Sequence, residues 1–313
     1  MRNPLLFILI ASALIFSRSC ETTEKIDDFP LRPSQLVLNC LFTSDSTWNI
    51  QVSYSLSVLD NAPLEMIEDA EIELYKNGEL VDHVTTPGID GFYHSDSLLP
   101  FEGETYSVKV TAPGYEKEVF AQDYLPERVS LKSLSSTLID SSFHIWNDYY
   151  TDLPVETGHV EGFIDLTISD PPGVSNYYNL QVYMLERRLL DREDSTSWYY
   201  RRKPVNYSVT DATTEVTSMR GGALLTDQYF DGMEHKMKIR YNEWDDKPVI
   251  DTFYVELISL TEAGFLYRRS IEDYQDAKGD PFSEPVLVYS NIENGFGIFA
   301  GYSSYTGVVQ ILE

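Results

Sequence analysis

Histidine most often binds metals or moves protons near neutral pH, and this chain has five: His83, His94, His144, His159 and His235. No two lie within five residues of one another, so the short ligand pairs that mark a zinc site (HxH, HxxxH, HExxH) do not occur. No Gly-x-Ser-x-Gly elbow occurs; Gly301-Tyr302-Ser303-Ser304-Tyr305 comes nearest and lacks the second glycine. Cys40 sits in Leu38-Asn39-Cys40-Leu41-Phe42, an apolar strand-like setting that suits a buried small hydrophobe better than a nucleophile. Among 50 acidic residues, neighbours such as Asp245-Asp246 arise by composition alone, and no spaced Asp-x-Asp-x-Asp-Gly loop is present. Phosphate-binding and dinucleotide fingerprints are absent too. The expectation is a protein with no catalytic residue, no metal ligand and no cofactor.

Two aromatic segments could do a different chemistry. Trp146, Tyr149 and Tyr150 form one; Trp198, Tyr199, Tyr200 and Arg201 form the other. Tyr, Trp and Arg are the residues that anchor binding interfaces, and flat rings stack on sugars. The plainer reading is edge-strand packing with hydroxyls in water, and both readings stand at this point.

The elements that must hold these residues read as strands. Aromatics make up 13% of the 313 residues, and Tyr, Val, Thr and Ile favour pleated, half-buried surfaces. From Asn49 to Leu59, Ile50, Val52, Tyr54, Leu56 and Val58 alternate with polar partners, a period of two that a helix would scatter. Ala70–Tyr75 and Leu80–Val84 flank Asn77-Gly78, the strongest short hairpin signal. With Phe92-Tyr93, Thr105–Ala112 and Tyr115–Ala121 these make about seven short strands in residues 35–125, the pattern of an immunoglobulin-like or transthyretin-like β-sandwich. Gly91-Phe92-Tyr93, Gly103-Glu104-Thr105-Tyr106 and Ala112-Pro113-Gly114-Tyr115 resemble the carboxypeptidase-regulatory and transthyretin-like sandwiches, a likeness that carries fold and not function.

Pro126 marks the expected boundary to a second mainly-β domain, residues 126–313. Its alternating runs are Phe163–Ser169, Tyr178–Met184, Lys236–Tyr241, Phe253–Leu257, Val286–Tyr289, Phe296–Ala300 and Val308–Leu312. Residues 141–160 and 186–204 read as long loops or edge hairpins. One helix is expected near 261–277: Thr261 as N-cap, Glu262 in the first turn, and Ala263, Leu266, Ser270 or Ile271, and Tyr274 at helical spacing. Arg268–Glu272 and Arg269–Asp273 are expected as i,i+4 ion pairs on it. The predicted class is therefore all-β with one α-helix.

The net charge of -27 excludes a nucleic-acid partner, since a phosphate backbone would be repelled and no basic stripe offsets the field. At the N-terminus, Arg2 precedes an apolar run from Leu5 to Phe16, too short for a spanning helix, which needs about 20 residues. Residues 1–19 read as a signal peptide. Ser19-Cys20 then places a thiol where a lipoprotein peptidase cleaves and acylates, and several acyl chains together anchor stably to a membrane. Ser17 and Arg18 depart from the usual residues before such a cysteine, and the alternative is an ordinary signal peptide beside an incidental Cys20. Residues 20–34 read as a lipidated N-terminus and an acidic tether. No other stretch is apolar enough to span a bilayer as a helix.

Several stretches taken together resemble a known family: Leu36-Val37-Leu38-Asn39, Ala112-Pro113-Gly114-Tyr115, Leu225 to Gly232, Pro281 to Val286, and Tyr289 to Gly301. They are similar to a Bacteroidota outer-membrane lipoprotein family that carries a domain of unknown function, over nearly the whole mature chain. Acidic residues after the lipidated cysteine resemble that group's surface-export signal. Such proteins are typically encoded beside SusC-like TonB-dependent receptors. The resemblance implies a cell-surface accessory of a nutrient-uptake receptor working through protein–protein binding, with a glycan- or small-ligand-binding lipoprotein as the alternative. It implies no catalytic residue.

Overall fold

The computed structural model describes residues 33–56, 63–95, 98–147, 154–189, 198–210, 222–245, 252–278 and 282–311. The expected signal peptide, the lipidation candidate Cys20 and the tether as far as Arg32 lie outside the described residues, as do Tyr149 and Tyr150.

Alternation in the first third becomes strands with one buried face. β1 (Leu36–Phe42) buries Leu36, Leu38, Cys40 and Phe42, and β2 (Trp48–Tyr54) buries Trp48, Ile50 and Val52. β3 (Glu71–Lys76) and β4 (Glu79–Val84) close on Asn77 and Gly78 with φ of 49° and 85°, the left-handed pair a tight hairpin requires. β5 (Tyr93–Ser95), β6 (Thr105–Thr111) and β7 (Val119–Tyr124) complete the set. β4-β3-β6-β7 form one sheet, which packs on β1, β2 and β5. Between them Phe42 lies 4.9 Å from Trp48 and 4.8 Å from Phe299, ring to ring.

The rest of the chain builds a second sandwich. β8 (Leu131–Asn147) and β9 (Pro154–Ser169) are a long hairpin, as are β10 (Tyr177–Leu189) and β11 (Trp198–Pro204). The described parts of 141–160 and 186–204 are thus hairpin strands, not loops. β12 (Tyr207–Val209), β13 (Ala223–Thr226), β14 (Glu234–Asp245) and β15 (Thr252–Leu260) follow, then α1 (Glu262–Ala277) and β16 (Phe296–Gln310). The sheet β12-β14-β9-β8 encloses the second core against β10, β13, β15 and the end of β16.

One strand belongs to both bodies. Phe296–Gly301 of β16 runs parallel to β1, and Tyr302–Gln310 runs antiparallel to β15. The result is a single sheet in the order β11-β10-β15-β16-β1-β2-β5, with β13 beside β10. The two cores divide between Leu125 and Val129, but Ile292 and Phe299 from the C-terminal stretch lie in the first core. The last strand fits there because it carries no side chain where the backbones meet. Gly297 adopts φ 114°, and a Cβ would run into the Leu38 carbonyl; at Gly301 it would run into the Tyr124 carbonyl.

The helix is where its caps place it. The Thr261 hydroxyl accepts from the Gly264 N–H at 3.2 Å, satisfying one orphan donor of the first turn. Phe265 is buried with Leu224, Ile258 and Leu260 on the outer face of the large sheet. Two expectations fail nearby. Val286–Tyr289 is not a strand and pairs with none among the described residues; the Tyr289 N–H donates to the Ser270 hydroxyl of α1 at 2.8 Å instead, so β-propensity alone did not make it one. Arg269 and Asp273 approach to 4.0 Å, but Arg268 and Glu272 do not pair, because Arg268 turns into a cavity under the helix. Among the described residues no helix is long and apolar enough to cross a membrane.

Candidate functional site

β10 outruns β15. The two pair only from Tyr177 to Tyr183, after which β10 continues as a two-stranded ribbon with β11, Glu186 opposite Arg201, Arg187 opposite Tyr200 and Leu189 opposite Trp198. Strand alternation sends Tyr200 and Arg202 to one face and Tyr199, Arg201 and Lys203 to the other. Tyr200 is 67% exposed; Tyr199 and Arg201 are exposed as well. Arg202 lies 3.8 Å over the Tyr183 ring and pairs with Glu256 at 2.8 Å, which holds the base of the ribbon.

The β8–β9 hairpin reaches the same end of the second sandwich. Trp146 stands opposite Val155, next to the last described pair Asn147–Pro154, and Ile145 beside it is 70% exposed. Lys203 joins β11 to β14, the sheet neighbour of β9: its ammonium pairs with Glu243 at 2.8 Å and donates to the Trp244 carbonyl at 3.1 Å. Glu243 is only 2% exposed and also accepts the Asn206 N–H at 3.0 Å, where the chain crosses from β11 to β12. A buried carboxylate of this kind persists when it is paired and hydrogen-bonded. The structure therefore brings the strand-borne members of the two aromatic segments, Trp146 and Trp198 to Arg201, to one end.

One residue there, Trp244, escapes a sequence reading centred on aromatic runs. Trp244, 49% exposed, faces outward beside His159 (ring centroids 4.3 Å apart) and His144 (5.2 Å). His159 is oriented by Asp140 at 3.2 Å and Asn242 at 3.3 Å. The signal was available: in β14 the core parity runs Met237, Ile239, Tyr241, Glu243, which leaves Trp244 on the solvent side. The surface is aromatic, partly basic and held on strands, which suits recognition.

Chemistry elsewhere is sparse among the described residues. Burial pushes the Cys40 thiol up to about 12, which removes it as a nucleophile. Asp170, Asp227 and Asp231, none given a ligand role by the sequence reading, bring one carboxylate oxygen each to within 4.8 Å of one another and could ligate a hard cation. They also clip turns. Asp170 accepts from the Tyr178 hydroxyl and, at 2.9 Å, from the Gly232 N–H; Asp227 accepts the Asn176 N–H at 2.8 Å; Asp231 accepts the Gly173 N–H at 2.8 Å. Burial raises the Asp170 carboxyl above its ordinary range.

With this geometry in hand, comparison with known proteins adds a family. The model described as "Domain of unknown function (DUF4249)" matches residues 21–307. No curated protein matches the sequence. Among solved structures, "Biofilm associated protein - BSP domain" aligns at 9% identity over 87% of this chain, with a TM-score of 0.15. The chain spans 58% of that structure's length, and the likeness carries no argument.

Proposed function

The chain belongs to the family described as Domain of unknown function (DUF4249), and from that premise we propose that it is a non-catalytic outer-membrane lipoprotein whose hairpin end binds a protein partner. The observation that carries this reading is the convergence of Trp146, Trp198, Tyr199, Tyr200, Arg201 and Trp244 on one end of the second sandwich. In a chain of net charge -27, exposed aromatics beside arginines are the groups best suited to an interface core. Cys20, acylated, tethers the protein to the membrane ahead of the acidic stretch that follows it. By resemblance to Bacteroidota lipoproteins, the partner is a SusC-like TonB-dependent receptor, and the protein is an accessory of nutrient uptake at the cell surface.

The test is affinity isolation of the full chain from detergent-solubilised outer membranes. A β-barrel receptor should co-purify, and its recovery should fall when Tyr199, Tyr200 and Arg201 are changed together to Ser. Absence of any barrel partner overturns the proposal. Cys20→Ser should abolish palmitate incorporation and release the protein from the membrane fraction.

A second reading rests on Trp244, whose exposed ring between two histidines is a platform on which a sugar could stack. Glycan binding lost in Trp244→Ala, with receptor recovery intact, would favour it.

A further inference from the structure

Under α1 lies a cavity of about 240 Å³. Its roof is one helical stripe, Gly264, Tyr267, Arg268, Ile271 and Glu272, at spacings of three and four residues. Its floor is the outer face of the large sheet, where Leu41, Leu224 and Leu260 supply apolar walls and Tyr302 closes one side. Glycine and alanine keep the space open: a Cβ on Gly264 would meet the Ala300 methyl at an ordinary 3.7 Å.

Arg268 stands out in this setting. Arg128 pairs with Asp45 and Glu102, Arg202 with Glu256, Arg240 with Glu161 and Arg269 with Asp273. Arg268 forms no ion pair or hydrogen bond among the described residues, in a chain with 50 carboxylate side chains. Burial pushes its guanidinium below the ordinary arginine range, opposed by the fields of Tyr302 and Glu256. Glu256 is already held by Arg202 at 2.8 Å, and Glu272, one turn away on the same wall, does not reach it. A half-buried guanidinium without a carboxylate is an incomplete arrangement, and its five donors match a planar carboxylate two at a time.

We propose that this cavity is a binding site for a small organic monocarboxylate, its head taken by Arg268 and its apolar body by Leu41, Leu224, Leu260 and Ile271. The volume equals about eight waters at ~30 Å³ each, which is roughly the bulk of a six- to eight-carbon acid. The apolar walls disfavour phosphate or sulfate, and Glu272 on the same lining opposes a second negative charge. The site is independent of the hairpin surface, so it stands or falls apart from the partner-binding proposal.

Calorimetric titration and thermal-shift measurements on the full chain, using benzoate and hexanoate with benzamide and hexanamide as uncharged counterparts, test this. Both acids should bind saturably and raise the melting temperature, and both amides should bind at least about ten-fold more weakly, as befits loss of one charge-assisted pair. Arg268→Met should weaken the acids by a similar factor and melt no lower than the parent, because it removes a charge that has no partner. Ile271→Trp, which fills the cavity and leaves the guanidinium in place, should exclude the acids. No saturable binding of either acid up to about 10 mM, equal affinity for acids and amides, or unchanged binding in both variants overturns the proposal.

Discussion

The Thr261 hydroxyl donates to the Asp123 carboxylate across 2.6 Å, tying the N-cap of α1 to the last strand of the first sandwich. The same Asp123 oxygen accepts the Gly301 N–H at 3.2 Å, at the position where β16 leaves β1 for β15. One side chain thus holds the helix start, the partner switch of β16 and the end of β7 together.

Burial raises the Asp123 carboxyl from an ordinary 3.8 to about 6. A raised acid pKa means the folded protein holds the proton more tightly than the unfolded chain. The stabilisation from this group is therefore full below about pH 4, is lost as pH rises through about 6, and is flat above that. Its size is roughly 2 kcal/mol, from about two pKa units at 1.36 kcal/mol each with some solvent screening. Asp123→Asn should remove this part of the slope between pH 4 and 6 in urea denaturation; identical slopes for parent and variant would refute the role given to Asp123.

Asn291 staples the start of β16. Its amide donates to the Phe299 carbonyl at 2.7 Å and accepts the Phe299 N–H at 3.0 Å, serving both backbone groups of a fully buried residue. Asn291→Ala should cost about 2 kcal/mol, because both groups lose their partner away from water. Chemical denaturation reads the loss, and a cost below about 0.5 kcal/mol, the usual scatter of surface changes, would count against the staple.

Cys40 should be inert in the folded protein. Its thiol is buried in the first core, with its ionisation pushed up to about 12. Alkylation by iodoacetamide at pH 8 should occur at Cys40 only as fast as the protein unfolds, and at once in guanidinium. Rapid modification without denaturant would contradict this burial.

The hairpin residues should behave in the opposite way. Tyr199, Tyr200 and Arg201 are exposed and extend past the second core. Their combined replacement by Ser should change stability by no more than about 1 kcal/mol, while lowering recovery of the membrane partner. A large loss of stability would mark them as packing residues.

Much of the local structure was legible. The alternation in β2, the Asn77-Gly78 turn and the Thr261 cap are each written in a few adjacent residues, and each formed as its local chemistry requires. The aromatic segments were legible as residues but not as a surface. Lys203 and the Glu243-Trp244 pair, which join β11 to β14, lie some forty positions apart and carry no mark of one another. Val286–Tyr289 shows the reverse error, a run with strand composition that pairs with no strand among the described residues.

The amino-acid sequence by itself determined that the chain is mainly strands with one helix starting after Thr261, which face of the alternating runs is apolar, and that it holds no local catalytic motif. Only the tertiary structure decided that β16 lies in both sandwiches, that Asp123 meets Thr261, and that Arg268 faces a cavity instead of Glu272. The reason is physical: turns, caps and amphipathic faces depend on neighbours within a few residues, whereas strand edges present the same N–H and C=O groups everywhere. Which edge meets which is settled by the packing of side chains far apart in the chain.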